Sequence, residues 1–298
     1  MKNIFIVYFF TSVLCKSVLA QQDADLFHLK YSITPMKHTS GNDVLHELEA
    51  NIKVPTILRK NYTVATGIKY ESLLTDGQSL PMAQALHGTS MQLLFGRKLK
   101  TNNVLTAVLS VGIYSDFKDI TSDDFRFAAG IRYKNQISEK LSFSYGLLYS
   151  KQFFGNLIAP FIDFNWKISR QLSLHGPFPL NPRLYYTIHP KASLSLFLKP
   201  DNSTFRLSAR ENNAQYLQRK QWNAGIGFDY KVKQHWTISI RTGASLRQRF
   251  ELYDASETGV FSILTIDVNG RKRTPSYSYE ANSFFAEIVL AWSLHQNE

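Results

Sequence analysis

The chain has 298 residues, 44% of them hydrophobic, and a formal net charge of +11. Beyond the N-terminus no run approaches the roughly 18 apolar residues of a membrane-spanning helix, which excludes a helical membrane protein. A membrane β-barrel remains compatible with this composition, because alternating polar residues lower the average hydropathy. Basic proteins often bind nucleic acid, but here the basic residues are spread along the strands of an exported chain, and we predict no nucleic-acid partner.

The first twenty residues have the pattern of a secretory signal. Lys2 supplies a basic start, residues 4–14 are apolar, and the small-residue cleavage pattern ends at Ala20. We therefore predict that residues 1–20 are a signal peptide that is removed on export. The single cysteine, Cys15, lies in this segment, so the exported chain is expected to contain none.

The remaining chain divides into a polar lead and a barrel domain. We predict that residues 21–43 form the lead and residues 44–298 the barrel. In the barrel domain apolar and polar residues alternate with the period of two that is typical of strands with one apolar face. The alternating segments are 48–54, 62–70, 89–95, 105–113, 125–133, 141–149, 158–168, 172–174, 184–188, 194–198, 205–209, 219–233, 235–250 and 283–294. Residues 258–268 are a further candidate strand.

The clearest alternation runs through residues 222–246. Every second residue is apolar from Trp222 to Val232, and after a short turn the pattern resumes from Trp236 to Leu246. This pattern predicts a β-hairpin with one apolar and one polar face. Each arm has about the 9–11 residues with which a tilted strand crosses a bilayer, so we interpret the hairpin as part of a membrane barrel.

The connections between the predicted strands fall into two groups. Short turns alternate with longer polar connections, as at the two rims of an outer-membrane barrel, where the long loops are extracellular. The longer connections are residues 76–87, 116–122, 211–218 and 269–282. Residues 175–182 contain three prolines, which a central strand does not tolerate, so the sheet is predicted to bulge or turn there.

These elements together predict an all-β fold, an antiparallel up-and-down transmembrane β-barrel of about 12–14 strands. A soluble periplasmic β-sandwich is the alternative, because alternating strands also form sandwiches in which the apolar faces pack together as a core. The length of the strands and the aromatic residues near their ends favour the membrane barrel.

Four segments resemble a known protein family. They are residues 25–31 (DLFHLKY), 122–127 (SDDFRF), 189–194 (HPKASL) and 200–205 (PDNSTF). They are similar to an uncharacterised family of bacterial outer-membrane β-barrels, domain of unknown function 6268, and the similarity extends over most of the exported chain. The resemblance implies the location and the fold but no catalytic residue, because the family has no assigned activity. Outer-membrane barrels commonly end on an aromatic residue. This chain departs from that pattern, because residues 294–298 (LHQNE) come after its last aromatic residue, Trp292.

Two pairs of residues have side chains that hydrolases use. Ser173 and His175 lie two apart on a strand and face the same side, as a nucleophile and its base would. Asp123 and Asp124 are similar to the paired acids of barrel proteases, but neighbours on a strand point to opposite faces, and we interpret them as loop or calcium contacts. No third catalytic group or oxyanion donor can be named, and the eight histidines have no metal-binding spacing. We therefore predict no enzymatic activity, no metal and no cofactor.

Seven arginines stand on the polar faces of the predicted strands. They are Arg126, Arg132, Arg206, Arg210, Arg241, Arg247 and Arg249, with Glu71, Asp163, Asp229 and Glu287 as partial counterweights. If the apolar faces contact lipid, these arginines line the lumen, and an open lumen would attract anions. The alternative is that they pair with the acids and fill a closed interior. Strand number bears on this, because about eight strands leave room only for side chains, whereas 16 or more leave a channel.

We therefore expect a non-enzymatic pore or structural barrel of the outer membrane with a basic lumen. The expected partners are outer-membrane lipid, the barrel-insertion machinery and small anionic solutes. Two other functions remain open. One is a barrel hydrolase that acts on lipid or peptide at the extracellular rim, and the other is a surface-binding module whose loop 269–277 has a basic and aromatic composition suited to anionic sugars.

Overall fold

The computed structural model describes residues 25–38, 41–76, 85–212, 214–233, 235–269 and 272–293. The predicted signal peptide lies outside these residues. No helix in the described part of the chain is long and apolar enough to cross a membrane. Its helices are a 3-10 turn, Ser122–Asp124, and the short helix α1, Ala209–Asn212.

The strands form one antiparallel barrel. In chain order they are β1 (Asp25–His38), β2 (Gly41–Leu58), β3 (Tyr62–Thr75), β4 (Ala85–Lys100), β5 (Asn103–Ser115), β6 (Phe125–Ser138), β7 (Leu141–Gln152), β8 (Gly155–Lys167), β9 (Leu172–Phe178), β10 (Arg183–His189), β11 (Ala192–Arg206), β12 (Tyr216–Lys231), β13 (Trp236–Tyr253), β14 (Val260–Ile263), β15 (Ile266–Asp267) and β16 (Tyr277–Ser293). Fourteen of the sixteen, β1–β13 and β16, pair side by side, and β1 pairs with β16 to close the barrel. The predicted fold is confirmed. The candidate strand over residues 258–268 is instead the small hairpin β14–β15.

The structure corrects the predicted lead segment. Residues 25–38 of that segment form β1, which pairs with β2 along its length and with β16 from Asp25 opposite Ser293 to Ile33 opposite Ala286. The barrel therefore begins at Asp25 and not at residue 44. Without β1, the edges of β2 and β16 would expose rows of backbone hydrogen-bonding groups, which a barrel in a bilayer cannot leave unsatisfied.

The outer surface of the barrel is apolar on all sides. Each of the fourteen strands contributes at least one large apolar side chain that is more than one-third exposed. One from each strand, in order around the barrel, is Tyr31, Ile52, Ile68, Met91, Leu109, Phe127, Tyr145, Ile162, Phe178, Ile188, Leu196, Ile226, Ile240 and Phe284. In a β-sandwich these side chains would form the core, so the sandwich alternative is wrong.

The two rims of the barrel differ, as predicted. The described chain begins and ends at one of them, the terminal rim, where the connections are short: 59–61, 101–102, 139–140, 168–171, 190–191 and 232–235. The opposite rim, here called the loop rim, has the longer connections 116–124, 207–215 and 254–276. The proline-rich interruption is confirmed as well, because β9 and β10 have only seven residues each and are joined by residues 179–182.

Near the loop rim, β11 and β12 turn into the barrel. Residues 204–206 and 216–219 are buried without alternation, whereas a barrel strand normally exposes every second residue. Arg206 at the end of β11 pairs with Ser115 of β5, and the Asp116 amide donates to the Arg206 carbonyl at 3.2 Å, although β6–β10 separate these strands in the sheet. We call residues 200–206 and 216–219 the partition, because they divide the interior of the barrel near the loop rim into two parts.

One side of the partition is filled by two layers of side chains. An apolar layer comes first, contributed by β1–β4, β11–β13 and β16: Met36, Leu45, Leu73, Leu86, Phe205, Leu207, Leu217, Phe250, Leu252 and Tyr279. A charged layer follows toward the terminal rim, with four cationic and four anionic side chains: Lys30, Lys69, Lys199, Arg219, Glu47, Glu49, Glu71 and Asp201. The side chain of Arg219 is 2% exposed and bridges Glu47 and Asp201. Together the two layers occupy the interior between β1–β4 and β11–β13 in the part of the chain that the structure describes.

Closure by β1 predicts a specific disulfide bond. Leu29 lies directly opposite Leu290, and opposed residues of antiparallel strands have Cα atoms about 4.5–5.5 Å apart, within reach of a disulfide. The variant Leu29→Cys/Leu290→Cys should form an intramolecular bond, seen as a reductant-sensitive shift of the denatured chain on a gel. The control Leu29→Cys/Ala291→Cys should not, because residue 291 points to the opposite face. Equal cross-linking of both variants would contradict the register.

The charged layer predicts unequal costs for two arginines. Arg219→Ala should lower the free energy of unfolding by about 3 kcal/mol, because it removes the hydrogen-bonded cation of the buried Glu47 carboxylate, which then has only Lys30 at 3.9 Å, and a partner of the partly exposed Asp201. Arg249→Ala removes a 40%-exposed partner of Glu280 and should cost about 0–1 kcal/mol. Denaturant unfolding of the barrel in micelles measures both. Similar midpoints for the two variants would refute the assigned role of Arg219.

Candidate functional site

A polar cavity of about 560 Å³ opens at the terminal rim. We call it the vestibule. Five basic side chains line it, Arg132, Lys134, Arg183, Lys231 and Arg241, together with three carboxylates, Asp25, Asp163 and Asp229. When Glu287, which pairs with Arg241, is counted as well, the wall has five positive and four negative formal charges, in contrast to the balanced charged layer.

Small hydroxyl side chains make room for the vestibule. Ser142 and Ser144 on β7, Ser193 on β11 and Ser239 on β13 stand at lumen-facing positions, where their short side chains leave the cavity wide. Their strands are amphipathic, with the apolar residues between them on the outer surface. The alternation in the sequence therefore produces both the outer apolar surface and the polar cavity.

Two of the predicted lumen arginines lie in the vestibule wall, each beside an acid. Arg241 is 7% exposed, with its Nη1 2.9 Å from Glu287 Oε1 and its Nη2 3.8 Å from Asp229 Oδ1. Arg132 Nη1 lies 3.0 Å from Asp163 Oδ2. The acids predicted to balance the arginine charges thus hold these guanidinium groups in fixed positions along the wall.

Two more of the predicted arginines lie at the partition and not in the vestibule. The Arg126 guanidinium lies 3.2 Å from the centre of the Tyr114 ring and donates to the Thr204 carbonyl at 2.8 Å. Arg206 pairs with Asp124 at 2.9 Å and also donates to Thr121. Arg126 therefore joins β6 to β5 and β11, and Arg206 joins β11 to the 3-10 turn before β6.

The remaining three arginines are outside the lumen, which corrects the prediction. Arg210 is exposed on α1 at the loop rim. A bulge in β13 places two residues opposite one on β16 between Ser245 and Gln248, so the alternation reverses there. Arg247 lies in the bulge with φ at 49° and is exposed, and Arg249 faces outward, where it pairs with Glu280 at 2.6 Å. Counting by twos cannot detect such a bulge.

The candidate catalytic residues occupy different places. Ser173 and His175 both line the vestibule, with the His175 ring edge-on to Tyr185, so they lie toward the terminal rim. Asp124 is fully buried and accepts from the Thr121 amide at 2.6 Å, which caps the 3-10 turn, besides pairing with Arg206. Asp124 therefore has a structural role, and no group of residues 173, 175 and 124 forms one site.

The loop considered for ligand capture is anchored to the partition. Within residues 269–277, residues 270 and 271 lie outside the described chain. The side chain of Arg273 is 2% exposed, donates to Tyr216 at 3.1 Å and Gln218 at 2.9 Å, and pairs with Asp267 at 3.0 Å. Its guanidinium also lies over the Tyr253 ring. Arg273 is therefore a structural anchor and is not presented to a surface ligand.

Sequence reasoning overlooked three basic residues of the vestibule. Lys134 and Lys231 each stand two residues beyond a recognised lumen position, Arg132 and Asp229, so extending the same alternation would have found them. Arg183 begins β10 after the proline-rich turn, where the count of alternating residues restarts. Only the pairing of Arg183 with His175 on β9 shows which face it occupies.

Several solved structures are similar to this chain in fold. The NanC porin is 10% identical with a TM-score of 0.41 over 90% of this chain and 100% of that one. An outer-membrane channel from Pseudomonas putida F1 is 10% identical with a TM-score of 0.44, covering 89% and 94%. The outer membrane phospholipase of Salmonella typhi, a dimer with bound calcium, is 10% identical with a TM-score of 0.39, covering 95% and 96%. Among curated proteins none matches the sequence.

The family resemblance extends over nearly the whole barrel. Residues 42–290 match one family, from the beginning of β2 almost to the end of β16. The structure gives this stretch the expected architecture, a closed antiparallel barrel with an apolar outer surface. The chain belongs to the family described as Domain of unknown function (DUF6268).

Proposed function

We propose that the protein is a non-enzymatic barrel of the outer membrane, exported by its signal peptide, that is closed toward the cell exterior and binds small anionic solutes in its vestibule. The loop rim then faces outward and the terminal rim faces the periplasm, as in other outer-membrane barrels. The proposal rests on the apolar layer across the lumen and on the basic vestibule, which lies between that layer and the terminal rim.

The apolar layer opposes the passage of ions. Its members are at most 8% exposed, from Met36 on β1 to Tyr279 on β16. An ion that crossed it would lose its hydration without gaining polar partners, and apolar constrictions of this kind block channels by excluding water. The charged layer adds a second obstacle, because the ion pair of Arg219 with Glu47 joins β12 to β2 across the lumen.

The vestibule favours anions because of its surplus positive charge and its shape. A concave site with low-dielectric walls concentrates the field of its charges and raises the local concentration of counter-ions. Arg241 and Arg132 are held by neighbouring acids, so their guanidinium groups need little further ordering when a solute binds. Ser173 and His175 contribute polar atoms to the same wall, and their place near the terminal rim gives no support to a hydrolase at the exterior rim.

The closed lumen predicts electrical silence. Protein reconstituted into a planar bilayer should insert without single-channel steps, because the apolar layer excludes hydrated ions. Heat-modifiable migration on a gel confirms that the reconstituted barrel is folded. Stable conductance steps from folded protein would contradict closure and would support the open-pore alternative.

The vestibule predicts salt-sensitive binding of anions. Pyrenetetrasulfonate should bind the folded barrel in micelles, as measured by fluorescence anisotropy, and added salt should weaken the binding by screening. Arg241→Gln and Arg132→Gln should each lower the affinity about tenfold, because each removes one positive charge near the anion. Arg249→Gln removes a charge from the outer surface and should change nothing. Equal affinities in the unaltered protein and the three variants would refute the vestibule as the anion site.

A further inference from the structure

The barrel wall has a gap on the loop-rim side of the short hairpin β9–β10. β9 and β10 have seven residues each, whereas the flanking strands β8 and β11 have 13 and 15. β8 pairs with β9 only over residues 162–167, and β11 pairs with β10 only over residues 192–197. Toward the loop rim, β14 pairs with residues 155–158 of β8 and covers part of the opening. Residues 159–161 of β8 lie between these two pairings.

A proline stands on each side of the gap. The Ile158 carbonyl accepts from the Leu264 amide at 2.9 Å, so residues 158 and 160 direct their backbone groups toward this edge. In β11 the Leu198 amide donates to the Pro182 carbonyl at 3.3 Å, so Pro200 directs its backbone the same way. Because proline has no N–H group, neither Pro160 nor Pro200 can donate to a further strand. The two prolines therefore prevent a further strand from forming backbone hydrogen bonds with their N–H positions, so the gap stays open there.

Behind the gap lies an apolar cavity of about 270 Å³, which we call the side chamber. Its back is the inner face of β5–β8, with Val108, Ala128, Leu148, Leu157 and Ala159. Gly130 allows this surface to be flat, since a Cβ there would lie 2.4 Å from Leu148 Cδ2 and 2.9 Å from Val108 Cγ1. The margins of the gap supply Leu180, Pro200, Leu264 and Thr265. The partition separates the side chamber from the charged layer.

Two polar residues of the chamber wall have hydrogen-bond partners within the protein. The Asn202 amide donates to the Leu264 carbonyl at 2.9 Å and accepts from Gln218 at 2.8 Å. Ser150 Oγ donates to the Phe127 carbonyl at 3.2 Å. A ligand in the chamber therefore gains nothing from polar atoms at these positions and gains from apolar surface, which selects a hydrocarbon.

The gap opens at the level of the apolar outer surface. Pro160 lies opposite Leu147, which is 42% exposed, and Leu196 on β11 is 55% exposed. On the loop-rim side, Ile263 and Ile266 of the hairpin β14–β15 are 38% and 66% exposed. A hydrocarbon chain could thus pass from the bilayer into the chamber without crossing water.

We propose that the side chamber binds one hydrocarbon chain of a membrane lipid, which enters sideways through the gap between β8 and β11. The volume suits this ligand, because an engineered apolar cavity of about 150 Å³ already binds benzene and the chamber is nearly twice as large. The lipid headgroup stays outside the barrel, at the membrane surface. This binding is independent of the vestibule and of whether the lumen conducts ions.

Photo-cross-linking tests the proposal on the full-length protein. The barrel is reconstituted in phosphatidylcholine vesicles that contain a phosphatidylcholine with a diazirine near the end of one acyl chain, and adducts are mapped by mass spectrometry. Leu109 and Leu147 face the bilayer and should be labelled in any case. Val108 and Leu148 face the interior, so adducts on them require a chain inside the chamber. Labelling of the outer pair without the inner pair would overturn the proposal.

Filling the chamber provides the matched comparison. Ala128→Leu should reduce adducts on the inner pair about tenfold, because displacing two methylenes of a bound chain costs about that much affinity. Ala107→Leu adds the same volume on the outer face of β5 and should leave them unchanged. Ala159→Leu serves as a second filling variant if Ala128→Leu fails to show heat-modifiable folding. Inner adducts that persist in a folded, filled variant would also overturn the proposal.

Discussion

The contact between β11 and β5 across the barrel determines how the interior is organised. A barrel of fourteen strands is too wide for side chains from opposite walls to meet, since about eight strands is the size that side chains can fill. The partition solves this by placing backbone inside the barrel, where Arg206 pairs with Asp124 and Arg126 donates to the Thr204 carbonyl. The narrower ring that remains, from β1 to β5 and from β11 to β16, is small enough to be filled by the apolar and charged layers.

Two compartments of opposite chemistry follow from this division. The vestibule lies below the partition and is lined by amphipathic strands, so it is polar and has excess positive charge. The side chamber lies behind the partition, where β5–β8 carry small and apolar residues on the inner face as well. One contains fixed charges suited to anions and the other contains apolar surface suited to hydrocarbon. The two cavities therefore differ in the chemistry of their walls although they lie in one barrel.

The connection between β13 and β16 covers part of the opening between β8 and β11. β14 supplies backbone partners to the part of β8 that β9 does not reach, which protects an otherwise open edge. Arg273 and Asp267 hold the connection against Tyr216 and Lys220 of β12. The basic and aromatic residues that made this loop resemble a binding surface are explained by this structural task. The closure is partial, and the prolines on β8 and β11 mark where it stops.

The sequence by itself determined the two rims, the antiparallel barrel fold and its strands apart from β1, because alternation with a period of two is imposed locally by the geometry of each strand. It also placed Arg132 and Arg241 on the lumen side, where no irregularity intervenes. It misplaced Arg249, because a bulge reverses the alternation and depends on register with β16. Only the tertiary structure decided that β11 and β12 leave the wall, since that requires Ser115 and Asp124, which are far from them in the chain. The two layers of side chains across the interior and the side chamber are consequences of that long-range contact.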